Sequence, residues 1–473
     1  MTRPDPPAVV RARLLLTGLF TLAGITFASW LARLPTVRDL LDLGTADLGL
    51  LLLVGSVGSL LTVTTSGMLL ERWGSRRVLL VSTFVLAAAL VLLGTGPTVG
   101  SVALLAAGIF LNGVAVALGN VAINVESARV ERALGRTVIP QFHAAFSVGA
   151  VVGSGLGALA SAGGVPVAVQ LPATAALMVV WRLASLPRVV LPASAAETAE
   201  RSVGRPLPAD ATASRARRGV RRVGAALGAW RERRTLLVGV VVLAAAFSEG
   251  AANNWLSLAV VDGFGTSEAV GGAALGLFVA SMTAVRLLGT RLLDRYGRVA
   301  VLRASGASSV VGLLLFGFAP TFALAAAGVV LWGVGAALAV PIGIAAASDD
   351  PVRAAGRVAV VSAFASMASL VAPPVLGLAA ESVGARHALT LIVVAMVLSV
   401  VVAPAVARDA TAPGGAPARP ADAPAAPAGR QAAAPADGDL EGLVRSRRHH
   451  VLPGGRRRAR RAAGRPPVRG AAR

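Results

Sequence analysis

Glu249 lies within an apolar stretch of the chain, well inside any hydrocarbon layer that stretch would cross. A carboxylate at such depth costs roughly 2.5–3.5 kcal/mol on insertion scales, so it pairs, takes a proton or faces water. Burial disfavours its charged form, which would let it load and release a proton; the alternative is a permanently protonated acid making one structural hydrogen bond. His143 offers a second protonation switch near neutral pH, or else a plain helix-end hydrogen bond. The five Asn are Asn112, Asn120, Asn124, Asn253 and Asn254, and they fall in only two apolar stretches. Buried amides need partners or water, so these two segments face a wet interior or each other. Asn120 and Asn124 are one helical turn apart and share a face. Trp30, Trp255 and Trp332 are aromatic candidates for an interior cavity, against interface anchoring or packing. Arg33 could hold a carboxylate bidentately, or pair with Asp39 or Asp42 as a gate.

The elements that must position these groups are membrane helices. The chain is 55% hydrophobic and 14% charged, far below the roughly 25% charge of soluble domains. There is no Cys, which excludes disulfides, thiolate metal sites and a cysteine nucleophile; every basic residue is Arg. Stretches of about 20 apolar residues can cross the hydrocarbon. They fall near 14–34, 46–70, 78–95, 99–124, 139–161 and 165–183, then 236–260, 268–290, 299–318, 322–345, 357–380 and 388–406. The expected fold is therefore all-α and membrane-embedded: twelve helices in two six-helix repeats, one over 14–187 and one over 235–407. A cleaved signal peptide is the alternative for the first 30 residues, and the many later spans favour an uncleaved first helix.

The net charge of +22 is uneven. The linker at 188–234 carries eleven Arg against four acids, and the tail at 408–473 fourteen against five. A basic excess beside spans marks cytoplasmic segments. The short Arg-bearing connections alternate with connections almost free of Arg, which puts residues 1–13, the linker and the tail in the cytoplasm. Arg33 and Arg38 are the exception on the outer side. The Ala/Pro/Gly-rich tail cannot bury a core and reads as disordered, with anionic lipid as the partner for its arginines. Its arginine run lacks the aromatic or fold motif of a nucleic-acid binder, so no nucleic acid is expected.

Two connections echo each other half a chain apart. Gly67, Glu71-Arg72, Gly74 and Arg76-Arg77 stand between the second and third spans; Gly289, Asp294-Arg295 and Gly297-Arg298 stand between the eighth and ninth. This pattern resembles the loop signature of the major facilitator superfamily, with Glu71 in place of Asp, Ser75 after the glycine, and Gly289 one residue early. A narrower resemblance is to the fucose-permease-related branch of bacterial permeases. It rests on Ala28-Ser29-Trp30-Leu31-Ala32-Arg33-Leu34-Pro35-Thr36-Val37-Arg38, Asn120 to Asn124, Phe142 to Ser147 and Glu249-Gly250-Ala251. That branch usually has Asp where Asn120 stands.

The resemblance implies a monomeric secondary transporter of the cytoplasmic membrane, cofactor-free and metal-free, in which one six-span half rocks on the other. It implies a central cavity lined by spans one, four, seven and ten, here Trp30, Asn120, Asn124, Glu249, Asn253 and Trp332. Proton coupling would fall to Glu249 and His143; Glu126, at the end of span four with Arg129 and Arg132 one and two turns on, reads first as a local ion pair and second as a further coupling acid. Glu71 would meet the start of span eleven, where a helix dipole favours negative charge, and Asp294 would meet span five. Arg72, Arg76, Arg295 and Arg298 would pair with acids at neighbouring helix ends, with Gly74 and Gly297 in the same gates. Gly149, Gly153 and Gly157 repeat every four residues and would let span five approach another helix closely.

An efflux pump for apolar metabolites fits the sparse lining as well as a sugar-like uptake system. A non-transporting sensor or scaffold with a basic tail is the other class. No cluster of acid, base and nucleophile or of metal ligands appears within the spans, which argues against an enzyme.

Overall fold

The computed structural model describes residues 7–191, 228–350 and 353–407. Most of the expected linker and the whole expected tail lie outside the described residues. The described secondary structure is helical throughout. In chain order the helices are α1 (Pro7–Leu31), α2 (Leu34–Leu40), α3 (Thr45–Thr98), α4 (Val102–Leu134), α5 (Ile139–Ala162) and α6 (Val167–Val189). After the linker follow α7 (Arg233–Phe264), α8 (Glu268–Phe318), α9 (Phe322–Ala336), α10 (Ala339–Ala347), α11 (Ala354–Ala388) and α12 (Ile392–Val402).

Among the described residues, nine helical stretches are long and apolar enough to cross a membrane. Three of them fold back at a glycine. The 54 residues of α3 would extend about 80 Å as one rod, more than twice the hydrocarbon thickness. The rod folds at Gly74, whose φ of 75° and ψ of 159° belong to a region essentially reserved for glycine. Gly297 repeats the conformation in α8 (φ 77°, ψ 165°), and Gly384 repeats it in α11 (φ 79°, ψ 151°). The expected loops around Gly74 and Gly297 are thus single-residue turns, with helix up to and beyond the glycine. Divided at these three points, the nine stretches give twelve segments, in line with the sequence pattern. The tenth differs from expectation: it is interrupted between Ala336 and Ala339, so α9 and α10 are separate helices.

The glycine repeat of α5 packs on α1. A Cβ at Gly149 would stand 1.9 Å from the Thr21 carbonyl oxygen, and one at Gly153 2.3 Å from that of Ile25. Only hydrogen at these positions admits the backbone of α1, the partner that the sequence pattern left open. The helices run alternately between two ends of the bundle, one carrying Arg33, Gly164, Glu268 and Gly384, the other Gly74, Gly135 and Gly297.

Candidate functional site

At the Arg33 end the two sequence halves are bonded together. Arg33 sits in the tight turn between α1 and α2 and is 3% exposed. Its Nε lies 3.1 Å from Glu268 Oε2, at the start of α8. Its Nη1 donates to the Val165 carbonyl and to Gln170 Oε1, both at 3.1 Å, and the Gln170 amide donates to Ser29 Oγ. The other Glu268 oxygen accepts from the Thr36 backbone N–H at 2.9 Å. Arg38 pairs with Asp262 of α7 and with Asp39. The sequence reading expected Asp39 or Asp42 as the partner of Arg33, because both stand close in the chain. Folding instead brings Glu268 across from the other half, and Asp39 goes to Arg38.

The neighbouring helix crossings belong to the same end. Ser154 of α5 donates to the Gly272 carbonyl of α8 at 2.5 Å. Thr45 and Ser56 of α3 donate to the carbonyls of Gly377 and Ser369 in α11 at 3.1 and 3.0 Å. Among the described residues, every hydrogen bond or ion pair between the halves lies at this end. Beyond Ser56, Leu60, Leu61 and Met68 of α3 are exposed, and a Cβ at Gly67 would meet nothing within 4 Å.

Within the bundle, Glu249 of α7 accepts from Arg286 Nη2 of α8 at 2.9 Å, and Arg286 Nε donates to the Ala337 carbonyl at 3.1 Å. The two side chains remain 27% and 32% exposed. Arg286 acts electrostatically on His143 of α5, which is exposed and has its ring 5.5 Å from that of Phe20. Sequence reasoning passed over Arg286, although the argument applied to Glu249 covers any charge inside an apolar span. Asn253 lies one turn beyond Glu249 on the same helix and is half-buried. Asn120 and Asn124 are exposed and, with Ser59, Val63, Val116, Ala117, Val121, Val125 and Ala128, line a cavity of ≈ 450 Å³ between α3 and α4. Asn124 donates to the Asn120 carbonyl at 2.8 Å.

The tryptophans are placed differently from the amides. Trp332 is fully buried, donates from its indole nitrogen to Ser248 Oγ at 2.8 Å, and packs edge-on against Phe278. Trp30 and Trp255 are also buried, 4% and 1% exposed. None of the three presents a free face in this conformation, because packing against neighbouring helices consumes the ring.

At the Gly74 end, Glu71, Arg72, Arg76, Asp294 and Arg295 are exposed. Among the described residues, neither Glu71 nor Asp294 has an ion-pair partner, so the contacts expected with spans eleven and five are not formed in this conformation. Arg298 does pair with an acid at a helix end: Asp349, just after α10, takes Arg298 at 2.7 Å and Arg234 at 2.9 Å. Arg295 lies over the Tyr296 ring instead. Ser75, the departure in the first connection, is buried and faces the fully buried Glu126 carboxylate. Glu126 also accepts from Arg129 at 2.6 Å, the local ion pair its spacing suggested. Just before α7, burial acts to raise the Glu232 carboxyl, but hydrogen bonds from Arg357 and Thr235 and the nearby Arg353 outweigh it and hold it below the usual range.

Helices broken at glycines, two halves bonded at one end and a charged pair inside an apolar bundle describe a multi-pass helical membrane protein. Residues 238–451 match the model of the Major Facilitator Superfamily. The chain is 32% identical over 398 residues to a Sinorhizobium fredii protein described as an uncharacterized transporter, y4wD, covering 81% of this chain and 95% of that one. The fold is similar to that of the nucleoside transporter NupG, with a TM-score of 0.63 at 18% identity over 84% of this chain and 98% of that one. It is also similar to a bacterial homologue of the human lysosomal transporter Spinster in an inward-facing, occupied conformation, with a TM-score of 0.64 at 12% identity over 85% and 97% of the two chains. The protein belongs to the major facilitator superfamily and is not an enzyme.

Proposed function

We propose that the protein is a secondary transporter of small organic molecules in the cytoplasmic membrane, both termini cytoplasmic, described here with its cytoplasmic end open. The observation that carries this reading is the position of the bonds between halves. They close the Arg33 end, while at the other end Glu71 and Asp294 have no ion-pair partner among the described residues. In the alternate state the residues 14–187 and 235–407 would rock as two bodies. Arg33 and Glu268 would part, and Glu71 and Asp294, with Arg72, Arg76, Arg295 and Arg298, would close the cytoplasmic side around the turns at Gly74 and Gly297.

Substrate would enter the space bordered by Asn120, Asn124, Glu249 and Asn253, and protons would couple through Glu249, with His143 as the second candidate. Trp30 and Trp332 support the walls from behind. A second reading, efflux of apolar metabolites, is favoured by the lining beside Asn120 and Asn124, where the other residues are Ser59 and six Val or Ala.

The natural chain has no cysteine, so an introduced pair reports without background. A disulfide between Ser56→Cys and Ser369→Cys should form readily and arrest transport in proteoliposomes, with recovery on reduction. Transport that continues with the pair fully oxidised would sink alternating access about this end. Uptake indifferent to collapse of the proton gradient, or to Glu249→Gln, would sink proton coupling.

A further inference from the structure

The Glu249–Arg286 pair is only half made. A guanidinium carries five N–H donors, of which Arg286 gives one to Ala337 and one to Glu249, so three remain without a partner among the described residues. Glu249 uses one oxygen. Unlike Arg33, whose pair is buried, Arg286 keeps a third of its surface open and faces His143 from the other half. Asn253, one turn from Glu249, has both amide groups unpaired among the described residues. A forked cation with spare donors, an adjacent free amide and one weakly held internal carboxylate form a receptor for a second carboxylate.

We propose that Arg286 is the binding site for a small organic monocarboxylate, and that Glu249 is the internal competitor which the substrate displaces by driving its protonation. The proposal rests on the transporter reading and specifies its substrate class. Charge balance gives the mechanism. The empty site holds one cation and one anion and is neutral. Adding a carboxylate alone would leave it one negative charge in excess, which a closed, water-poor interior opposes. When Glu249 takes one proton, the site holds Arg286 with the substrate carboxylate and a neutral acid, and is neutral again. Either neutral form can close, so one anion moves with one proton. Other charges near the pair do not disturb this count. Helices α9, α10 and α12 carry no ionisable side chain. Arg357 of α11 is held by Glu232, and Arg38 of α2 by Asp262. His143 of α5 is a further titratable group on which Arg286 acts.

The test is thermal stabilisation of the detergent-purified full chain by benzoate and lactate, with benzamide and lactamide as uncharged controls, between about pH 5.5 and about pH 8. The carboxylates should stabilise and the amides should not. Carboxylate affinity should rise up to about tenfold per pH unit lowered, the slope for uptake of one proton. Glu249→Gln should bind more tightly and without that slope. Arg286→Gln should lose carboxylate binding, and Arg286→Lys, which keeps the charge and loses the fork, should weaken it. His143→Gln should keep the slope. No stabilisation by either carboxylate, equal stabilisation by the amides, or an unchanged slope in Glu249→Gln overturns the proposal. Proteoliposome uptake of labelled lactate, ribose and inositol separates the two levels. Uptake of the neutral solutes without lactate rejects this site and leaves the transporter reading standing, whereas no uptake of any solute beside confirmed carboxylate binding rejects transport and keeps the site.

Discussion

At the Arg33 end a buried guanidinium meets a carboxylate from the other half, while at the Gly74 end the acids expected to make such contacts stand in solvent. The connections at the Gly74 end are rich in arginine, whereas Arg33 and Arg38 are exceptions among connections almost free of it, and the two ends differ in burial. A pair taken out of water is costly to break once formed, whereas an exposed pair adds little. One continuous buried apolar cluster includes residues of both halves, Trp30, Leu34 and Val37 with Trp255, Leu258 and Leu275. Under the proposed alternating access, the desolvated bonds at the Arg33 end would add to that packing in one state, and the groups at the Gly74 end would pair in the other. Differences of a few kcal/mol are then enough to shift the population.

The largest expected effect comes from breaking the closed end. Glu268→Gln leaves Arg33 as a buried cation without its counter-ion, a change that costs about 3–5 kcal/mol where a buried pair loses one member. It should lower the melting temperature and expose a cysteine placed at Ser154 to a membrane-impermeant thiol reagent; an unchanged reaction rate would show that this pair does not hold the end shut. Next is the turn at the open end. Gly74→Ala forces a side chain into a backbone region that costs about 1–3 kcal/mol, while Gly67→Ala, with open space around it, should be close to neutral. Equal melting temperatures for the two variants would contradict the dihedral argument. Arg38→Gln should be smaller, about 1 kcal/mol or less, because the Arg38–Asp262 pair is partly in solvent. Its effect sharpens the contrast with Arg33 a few residues away.

The smallest effect concerns a bond within one half at the Gly74 end. The Glu232 carboxyl is held below the usual carboxylate range, so its contribution is full above the unfolded value of about 4.3 and is lost as pH falls through the lower folded value. Local protection of the α7 and α11 starts against hydrogen exchange should therefore weaken only below about pH 4, and Glu232→Gln should abolish that dependence. Weakening at neutral pH would point to a different group.

The helix segments were legible because span length and apolarity are local properties, set by the thickness of the hydrocarbon. The close approach of α5 to a neighbouring helix was legible in its four-residue glycine repeat, but that the neighbour is α1 was not. The sequence reading lacked a third glycine turn, although Glu381-Ser-Val-Gly384-Ala-Arg386 has the acid three residues before the glycine seen at Gly74 and Gly297, and the arginine two residues after it seen at Gly74. The candidate site was half legible. Glu249 stood out as a carboxylate in an apolar span; its partner Arg286 sat in the next span under the same rule. Arg33 was flagged, but its partner Glu268 lies 235 positions on, where no local pattern connects them.

The sequence by itself determined a duplicated, helical membrane protein, because hydropathy, turn glycines and arginine alternation act over a few residues at a time. Which end is bonded shut, which tryptophan rings are consumed by packing, and which cation faces Glu249 were decided only in the tertiary structure. Each depends on two segments far apart in the chain meeting within about 3 Å, the reach of a hydrogen bond or close ion pair. Packing of whole helices, and no single residue's chemistry, sets that distance.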